Sequence, residues 1–350
     1  MKYKLLGKSG LRVSELCLGT MTFGEDWGWG ASKDESQKIF DTFVEAGGNF
    51  IDTANGYTDG SSEKIVGELI AKDRERFVLA TKYSFPLRMG EHKGDPNGSG
   101  NHRKNLMQSL EGSLKRLNTD YIDLFWLHAW DFTTPIEEVM RSLDDMVRQG
   151  KILYIGISDT PAWIVSQANT IAQYQGWTQF VALQVEYSLI QRTPERELLP
   201  MAKALDLAVT PWSPLGGGVL TGKYNKPLQP GEEQGRLANA ALGNISDRSL
   251  AIAEVVGQVA AEIGCTSSQV ALAWLRAQSS VIIPIIGSRK LTQLQDNLAS
   301  VDITLSPEHL QRLNAASQIE LGFPHDFLQN DAIRDRLFGG TFSIIDNHHS

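Results

Sequence analysis

Residues 77–83 read FVLATKY, an apolar run that carries a lysine, Lys82, one residue from its end. Val78, Leu79 and Ala80 fit a strand buried on both faces, as in a parallel sheet. A lysine closing such a run is costly to bury without a partner. The runs on either side repeat the design. NFIDT (49–53) carries Asp52, with Tyr57 five residues on in the glycine-rich NGYTDG, and YIDLFWLH (121–128) ends on His128. If the three runs are adjacent parallel strands of a barrel, an acid, a phenol, an amine and an imidazole open onto one mouth.

Five more runs complete the set: ELCLGT (15–20), YIGIS (154–158), FVALQVEY (180–187), LAVTPWS (207–213) and VIIPIIG (281–287). Helical patterns separate them. Ser32 with Glu35 reads as a capping box before a stretch that stops at Gly47-Gly48. Thr134-Pro135 with Glu137, Thr160-Pro161 and Thr193-Pro194 read as caps followed by a first-turn proline. Strand and helix alternating eight times predict an α/β fold, a (β/α)8 TIM barrel. YKLLGKSGLRVS before the first run reads as an N-terminal β-hairpin, able to plug the barrel floor. SPEHLQRLNAAS after the last run reads as an extra helix near the C-terminus.

The expected organisation is one barrel domain over 1–350, with the hairpin at 1–14 and a C-terminal tail at 318–350. Strand ends recur about every 30 residues, with two exceptions that place long mouth loops at 84–102 and 216–247. Both follow a strand's carboxyl end, where barrel enzymes do chemistry, and are expected to act as lids or substrate walls.

Bulk composition narrows the function classes. Apolar residues make up 41% of the 350, enough for a large core, and the net charge of −8 lacks the basic footprint of a nucleic-acid binder. The two cysteines, Cys17 and Cys265, are far apart and match no zinc spacing, so no metal is expected. The N-terminus has no apolar run of signal-peptide type, and VIIPII is too short to span a membrane. A cytoplasmic protein with no membrane partner is expected.

Asp52 is the natural counter-ion for Lys82. A cation beside the Tyr57 phenol favours the phenolate, which makes Tyr57 a general acid, and His128 is placed to orient a carbonyl oxygen. Each residue alone has an ordinary structural explanation; four together on consecutive strands point to a proton-transfer site. There is no Gly-x-Gly-x-x-Gly run. Instead, Gly287, Ser288, Arg289 and Lys290 enter a helix after the last strand, where barrels often bind phosphate, and two cations there suit a 2′-phosphate.

These motifs in this order resemble the aldo-keto reductases: LGTMTFG, FIDTANGY followed by EKIVGELI, ATKY, LKRLNTDYIDLFWLH, GKILYIGIS, LQVEYSLIQR, PWSPLGGGVLTGKY and IIPIIGSRKLTQLQDNL. The likeness runs from the hairpin to about Ser300. It implies direct hydride transfer from NADPH to an aldehyde or ketone, with Asp52, Tyr57, Lys82 and His128 as the catalytic tetrad. It implies that Ser158, Asp159 and Gln184 hold the nicotinamide amide, with Asp159 departing from the usual Asn. Trp212 would stack on the ring, Ser213, Leu215 and Gly216 would follow the pyrophosphate, and Arg289 would meet the 2′-phosphate. Gln293 and Asn297 would lie near the adenine, with Asp296 in place of a common Glu. Thr20, Met21, Asp52, Gly287 and Ser288 complete the implied cofactor set. Phe23, Trp27, Trp29, Phe85, Trp130 and Trp212 are candidates for an aromatic substrate wall. Two other readings stand beside this one: an NADPH-binding sensor or regulatory subunit with little turnover, which should carry a large apolar surface patch, and a metal-dependent hydrolase, which needs more strand-end ligands than His128.

Overall fold

The structure is a computed structural model that describes residues 1–87, 94–225, 245–278 and 281–346. Parts of both long mouth loops, 88–93 and 226–244, lie outside these residues.

The hairpin forms from β1 (Tyr3–Leu5) and β2 (Arg12–Ser14), paired antiparallel with Lys4 opposite Val13. Eight parallel strands follow: β3 (Cys17–Gly19), β4 (Phe50–Asp52), β5 (Val78–Tyr83), β6 (Ile122–Leu127), β7 (Ile152–Ser158), β8 (Phe180–Glu186), β9 (Ala208–Trp212) and β10 (Ile285–Gly287). They form one sheet in the order β10-β3-β4-β5-β6-β7-β8-β9. The ends meet where Val209 pairs with Ile282, through Val209 N–H to the Val281 carbonyl and Ile283 N–H to the Val209 carbonyl, each 2.8 Å. The eighth run is thus split rather than continuous. Pro284 has no N–H to offer a ladder, so Val281–Ile283 pair on one side and Ile285–Gly287 pair with β3 on the other. The result is a nearly closed (β/α)8 barrel.

Helices α1 (Lys33–Glu45), α2 (Ser61–Ile70), α3 (Arg103–Leu117), α4 (Ile136–Arg148), α5 (Ala162–Gln175) and α6 (Leu198–Ala204) follow β3 to β8 in turn. Two helices, α7 (Asp247–Ile263) and α8 (Ser267–Arg276), connect β9 to β10. After β10 come α9 (Leu291–Ala299), α10 (Pro307–Ser317), α11 (His325–Gln329) and α12 (Asp331–Phe338). Among the described residues no single helix is long and apolar enough to cross a membrane.

Strand side chains alternate between two apolar clusters, as a two-residue period requires. Outward residues such as Leu79, Phe125, Ile157, Leu183 and Val209 pack with the helices. Inward residues Cys17, Phe50, Val78, Ala80, Leu124, Trp126, Ala182, Ala208 and Ile283 fill the barrel together with Leu6 and Val13 of the hairpin. Leu6 and Val13 are fully buried, so the hairpin packs into the barrel at the strands' amino ends. Gly7 makes this approach possible: it has φ +55°, and a Cβ there would stand 2.3 Å from the Val181 carbonyl oxygen. Inside the barrel Trp126 lies over Gly156, where a Cβ would be 2.3 Å from the indole. The large ring fits because its neighbour has no side chain.

Candidate functional site

The two-residue period fixes which groups reach the mouth. Phe50 points inward, so Asp52 does; Val78 and Ala80 point inward, so Lys82 does; Leu124 and Trp126 point inward, so His128 does. By the same count Ser158 and Trp212 occupy the last inward positions of β7 and β9, and Gln184 the inward position of β8 that precedes its final residue, Glu186. Six strands thus send a polar or aromatic group to one rim, at the carboxyl end of the barrel.

Lys82 is fully buried. Its Nζ donates to Asp52 Oδ2 at 2.5 Å, to the Thr53 carbonyl at 2.8 Å and to Tyr57 Oη at 3.2 Å. Burial opposes its charge, but the Asp52 carboxylate and then the Tyr57 phenol outweigh burial and hold its pKa above the ordinary lysine value. Gln184 Nε2 donates to Asp52 Oδ1 at 3.2 Å, so both oxygens of that carboxylate are engaged. The Tyr57 and His128 rings lie edge to face, centroids 6.0 Å apart, and Phe85 stands edge to face against His128 at 4.7 Å. Burial, and secondarily the Lys82 charge, push His128 well below the usual histidine pKa, so the imidazole is neutral at physiological pH. The structure brings together the four side chains expected at the mouth.

Tyr57 reaches this place through an unusual turn. Thr58 and Asp59 have φ +46° and +53°, and Gly60 follows at +90°. A β-branched residue in the left-handed region is a genuine outlier. Thr58 is held there by donating to the Phe23 carbonyl at 2.7 Å and accepting from Ser62 N–H at 3.0 Å. Trp27 Nε1 donates to Asp59 Oδ1 at 3.1 Å, tying the loop after β3 to the same turn. Thr20 is buried beneath, donating to the Asp52 carbonyl at 3.0 Å and lying 2.9 Å from Ser62 Oγ. Its hydroxyl is thus committed to the scaffold, with half-buried Met21 beside it.

Around the rest of the rim, Ser158 is buried and Asp159 has φ +40°. Asp159 Oδ1 accepts from Trp212 Nε1 at 3.1 Å, a contact between β7 and β9 that the sequence reading missed. Burial raises the Asp159 carboxyl above the usual range, against the opposing pull of the Trp212 bond and the Lys82 charge. After β9, Ser213 has φ +52°; its Oγ accepts from Gly217 N–H at 3.0 Å and its carbonyl from Gly216 N–H at 2.8 Å. Leu215 sits within this turn.

At the β10 end, Gly287 is exposed and Ser288 buried, its carbonyl accepting from Thr22 Oγ1 at 2.7 Å. Gln293 Oε1 accepts from Arg289 N–H at 2.9 Å, ordering the entry to α9. Asn297 is buried on α9. Asp296 is committed elsewhere: its Oδ1 accepts from Thr266 Oγ1 and Gln269 Nε2, both at 2.8 Å, at the cap of α8. Among the described residues, three buried polar atoms of this set have no hydrogen-bond partner: His128 Nδ1, Ser158 Oγ and Ser288 Oγ. The first two lie at the strand ends around Lys82 and the third at the start of α9, the two regions that a dinucleotide stretched across the mouth would join. The residues fit that group.

Of the expected aromatic wall, Phe85 is exposed and Trp27, Trp29 and Trp130 are half-buried, with the Trp27 and Trp29 centroids 5.7 Å apart. Phe23 is fully buried and belongs to the core instead. Among the described residues no group of three or more His, Cys, Asp or Glu is placed to hold a metal ion.

Comparison with known proteins places the chain among named relatives. The norsolorinic acid reductase of Aspergillus flavus is 39% identical over 330 residues, covering 93% of this chain and 83% of that protein. The aryl-alcohol dehydrogenase [NADP(+)] of Phanerodontia chrysosporium is 40% identical over 331 residues, covering 90% and 86%. The aldo-keto reductase ausK of Emericella nidulans is 40% identical over 335 residues, covering 93% and 84%. The model of the aldo/keto reductase family matches residues 15–318, from the first barrel strand through α10, and the chain belongs to that family.

Proposed function

We propose that the chain is a cytoplasmic NADPH-dependent oxidoreductase that interconverts an aldehyde or ketone with its alcohol, with Tyr57 as general acid. One observation carries the reading: the Lys82 ammonium, fixed by Asp52 and the Thr53 carbonyl, points at Tyr57 Oη from 3.2 Å. An ammonium at that distance stabilises the negative charge that develops on the phenol oxygen as its proton leaves. His128, held neutral, orients the substrate oxygen toward that proton. NADPH supplies the hydride that reduces the carbonyl carbon. Ser158, Asp159, Gln184 and Trp212 would hold its nicotinamide end, Ser213, Leu215 and Gly216 its middle, and Ser288, Arg289, Gln293 and Asn297 its adenosine end. Asp296, occupied by the α8 cap, contributes there only by releasing Thr266 and Gln269. The half-buried tryptophans and Phe85 favour a substrate with an apolar or aromatic body. The names of two relatives, which speak of aryl alcohols and, in one case, NADP(+), support that class.

Tyr57→Phe tests the reading. Turnover of an aryl aldehyde such as 4-nitrobenzaldehyde should fall by about a thousandfold, within the range that general acid catalysis supplies. The NADPH dissociation constant should stay within about twofold, since the ring remains. Full turnover by the variant would reject the role of Tyr57.

A sensor or regulatory role is the second reading, and one observation favours it. The C-terminal segment leaves Phe323 85% and Ile344 80% exposed, apolar side chains that a partner subunit would cover. Rapid turnover by the isolated chain supports the enzyme; tight NADPH binding with almost no turnover supports the sensor.

A further inference from the structure

The mouth carries more negative charge than proton transfer needs. Asp52 and Lys82 offset one another at 2.5 Å, and His128 is neutral. On the β7–β9 side of the mouth stand two carboxylates, Asp159 just beyond β7 and Glu186 at the end of β8. They flank one indole: Asp159 accepts the Trp212 N–H at 3.1 Å, and Glu186 is the register partner of Trp212 across β8 and β9. Burial and then the charge of Asp159 raise Glu186 above the usual carboxylate range, as expected of two acids in one field. Placing a second and third carboxylate beside the proton-transfer site costs free energy unless something positive comes to occupy the mouth.

We propose that Asp159, with Glu186 behind it, biases the bound dinucleotide toward its oxidised form. The inference rests on the dinucleotide reading of the mouth given above. A nicotinamide ring is neutral when reduced and carries a positive charge when oxidised, while its phosphates are the same in both forms. Two carboxylates at the nicotinamide end, with Arg289 and Lys290 at the adenosine end, therefore strengthen NADP+ binding relative to NADPH. By linkage, it also shifts the equilibrium among bound species toward alcohol plus NADP+, and so favours reduction of the carbonyl on the enzyme. The oxidised cofactor is held more tightly than it would be with an amide at position 159.

The purely structural role of Asp159, accepting the Trp212 N–H, is separable from its charge. The substitution Asp159→Asn keeps an acceptor oxygen for the indole, and an asparagine tolerates the left-handed φ of +40°. Dissociation constants for NADP+ and NADPH are measured by quenching of tryptophan fluorescence at neutral pH and low salt, for wild type and Asp159→Asn. The expected result is NADP+ weakened about three- to tenfold, the effect of one partly screened charge, with NADPH within about twofold. Glu186→Gln should shift the ratio in the same direction by a smaller factor. Equal changes for the two forms, or none, overturn the charge assignment while leaving the cofactor reading intact. A wild-type protein that binds neither form overturns the cofactor reading, and this inference with it.

Discussion

Lys82 serves the fold and, on the function proposed above, the chemistry as well. Its ammonium is fully buried and satisfied by three acceptors, and its pKa is held above the ordinary lysine value. The raised value means that the stabilisation is fully present below the unfolded lysine pKa and is lost only as pH rises through the folded one. It is therefore constant across the physiological range. Lys82→Met should destabilise by about 3–5 kcal/mol, because Asp52 is left buried and charged with Gln184 as its remaining side-chain donor. Urea unfolding at neutral pH measures this, and an unchanged midpoint would contradict it. Adding Asp52→Asn should restore much of the stability without restoring turnover, which separates the two roles. At this scale the meeting of Asp52, Tyr57, Lys82 and His128 was legible in the sequence, because each follows or ends an apolar run at a countable position. The Asp159–Trp212 bond was not, since it joins strands 53 residues apart and neither residue signals the other. Nor was the diversion of Asp296 to Thr266 and Gln269, a contact that only the packing of α9 against α8 creates.

Among elements, helix caps carried less information than the sequence suggested. Ser32 caps α1 by accepting from Glu35 N–H at 3.3 Å, but the Glu35 carboxylate does not return the bond. It accepts instead from Leu291 N–H at 2.7 Å, at the start of α9, which neighbours α1 around the barrel. A local motif was redirected to a tertiary partner. Pro135 likewise sits at the cap of α4 rather than in its first turn, and Thr134 donates to Asp131 at 2.8 Å. Asp131 is the knot between mouth loops: it accepts from the backbone N–H groups of Asn101, Thr133 and Thr134 at 2.7 to 2.9 Å. Partial burial opposes its charge, but these donors outweigh it and hold the carboxyl at about 2. Its contribution to stability is thus present above the unfolded aspartate pKa and lost as pH falls through about 2. Asp131→Ala should speed hydrogen exchange at Asn101, Thr133 and Thr134 while leaving the barrel strands protected. Unchanged exchange at Asn101 would show that the end of the loop after β5 is anchored by other contacts.

For the whole molecule, the barrel was legible because eight apolar runs of strand length alternate with helix patterns, a repetition that single propensities cannot counterfeit. How the barrel closes was less so: Pro284 interrupts the eighth run, and the sequence does not say which half pairs with which neighbour. The role of the hairpin at the floor gives the last test. Cys17 lies inside the barrel with Leu6, Val13, Phe50 and Val78, and burial above all pushes its thiol well above the usual range. The thiolate is the reactive form, so Cys17 should resist thiol reagents in the native protein. Half-buried Cys265, raised less far by partial burial and the charge of Asp296, should label faster. Gly7→Ala should change that. The added methyl meets the Val181 and Asp206 carbonyl oxygens at a positive φ, so the hairpin must lift while the strands stay paired. Cys17 should then label in native buffer with the far-ultraviolet circular dichroism unchanged. If it stays protected, the floor is sealed without the hairpin; if it labels in wild type as fast as Cys265, the barrel interior is not closed at that end.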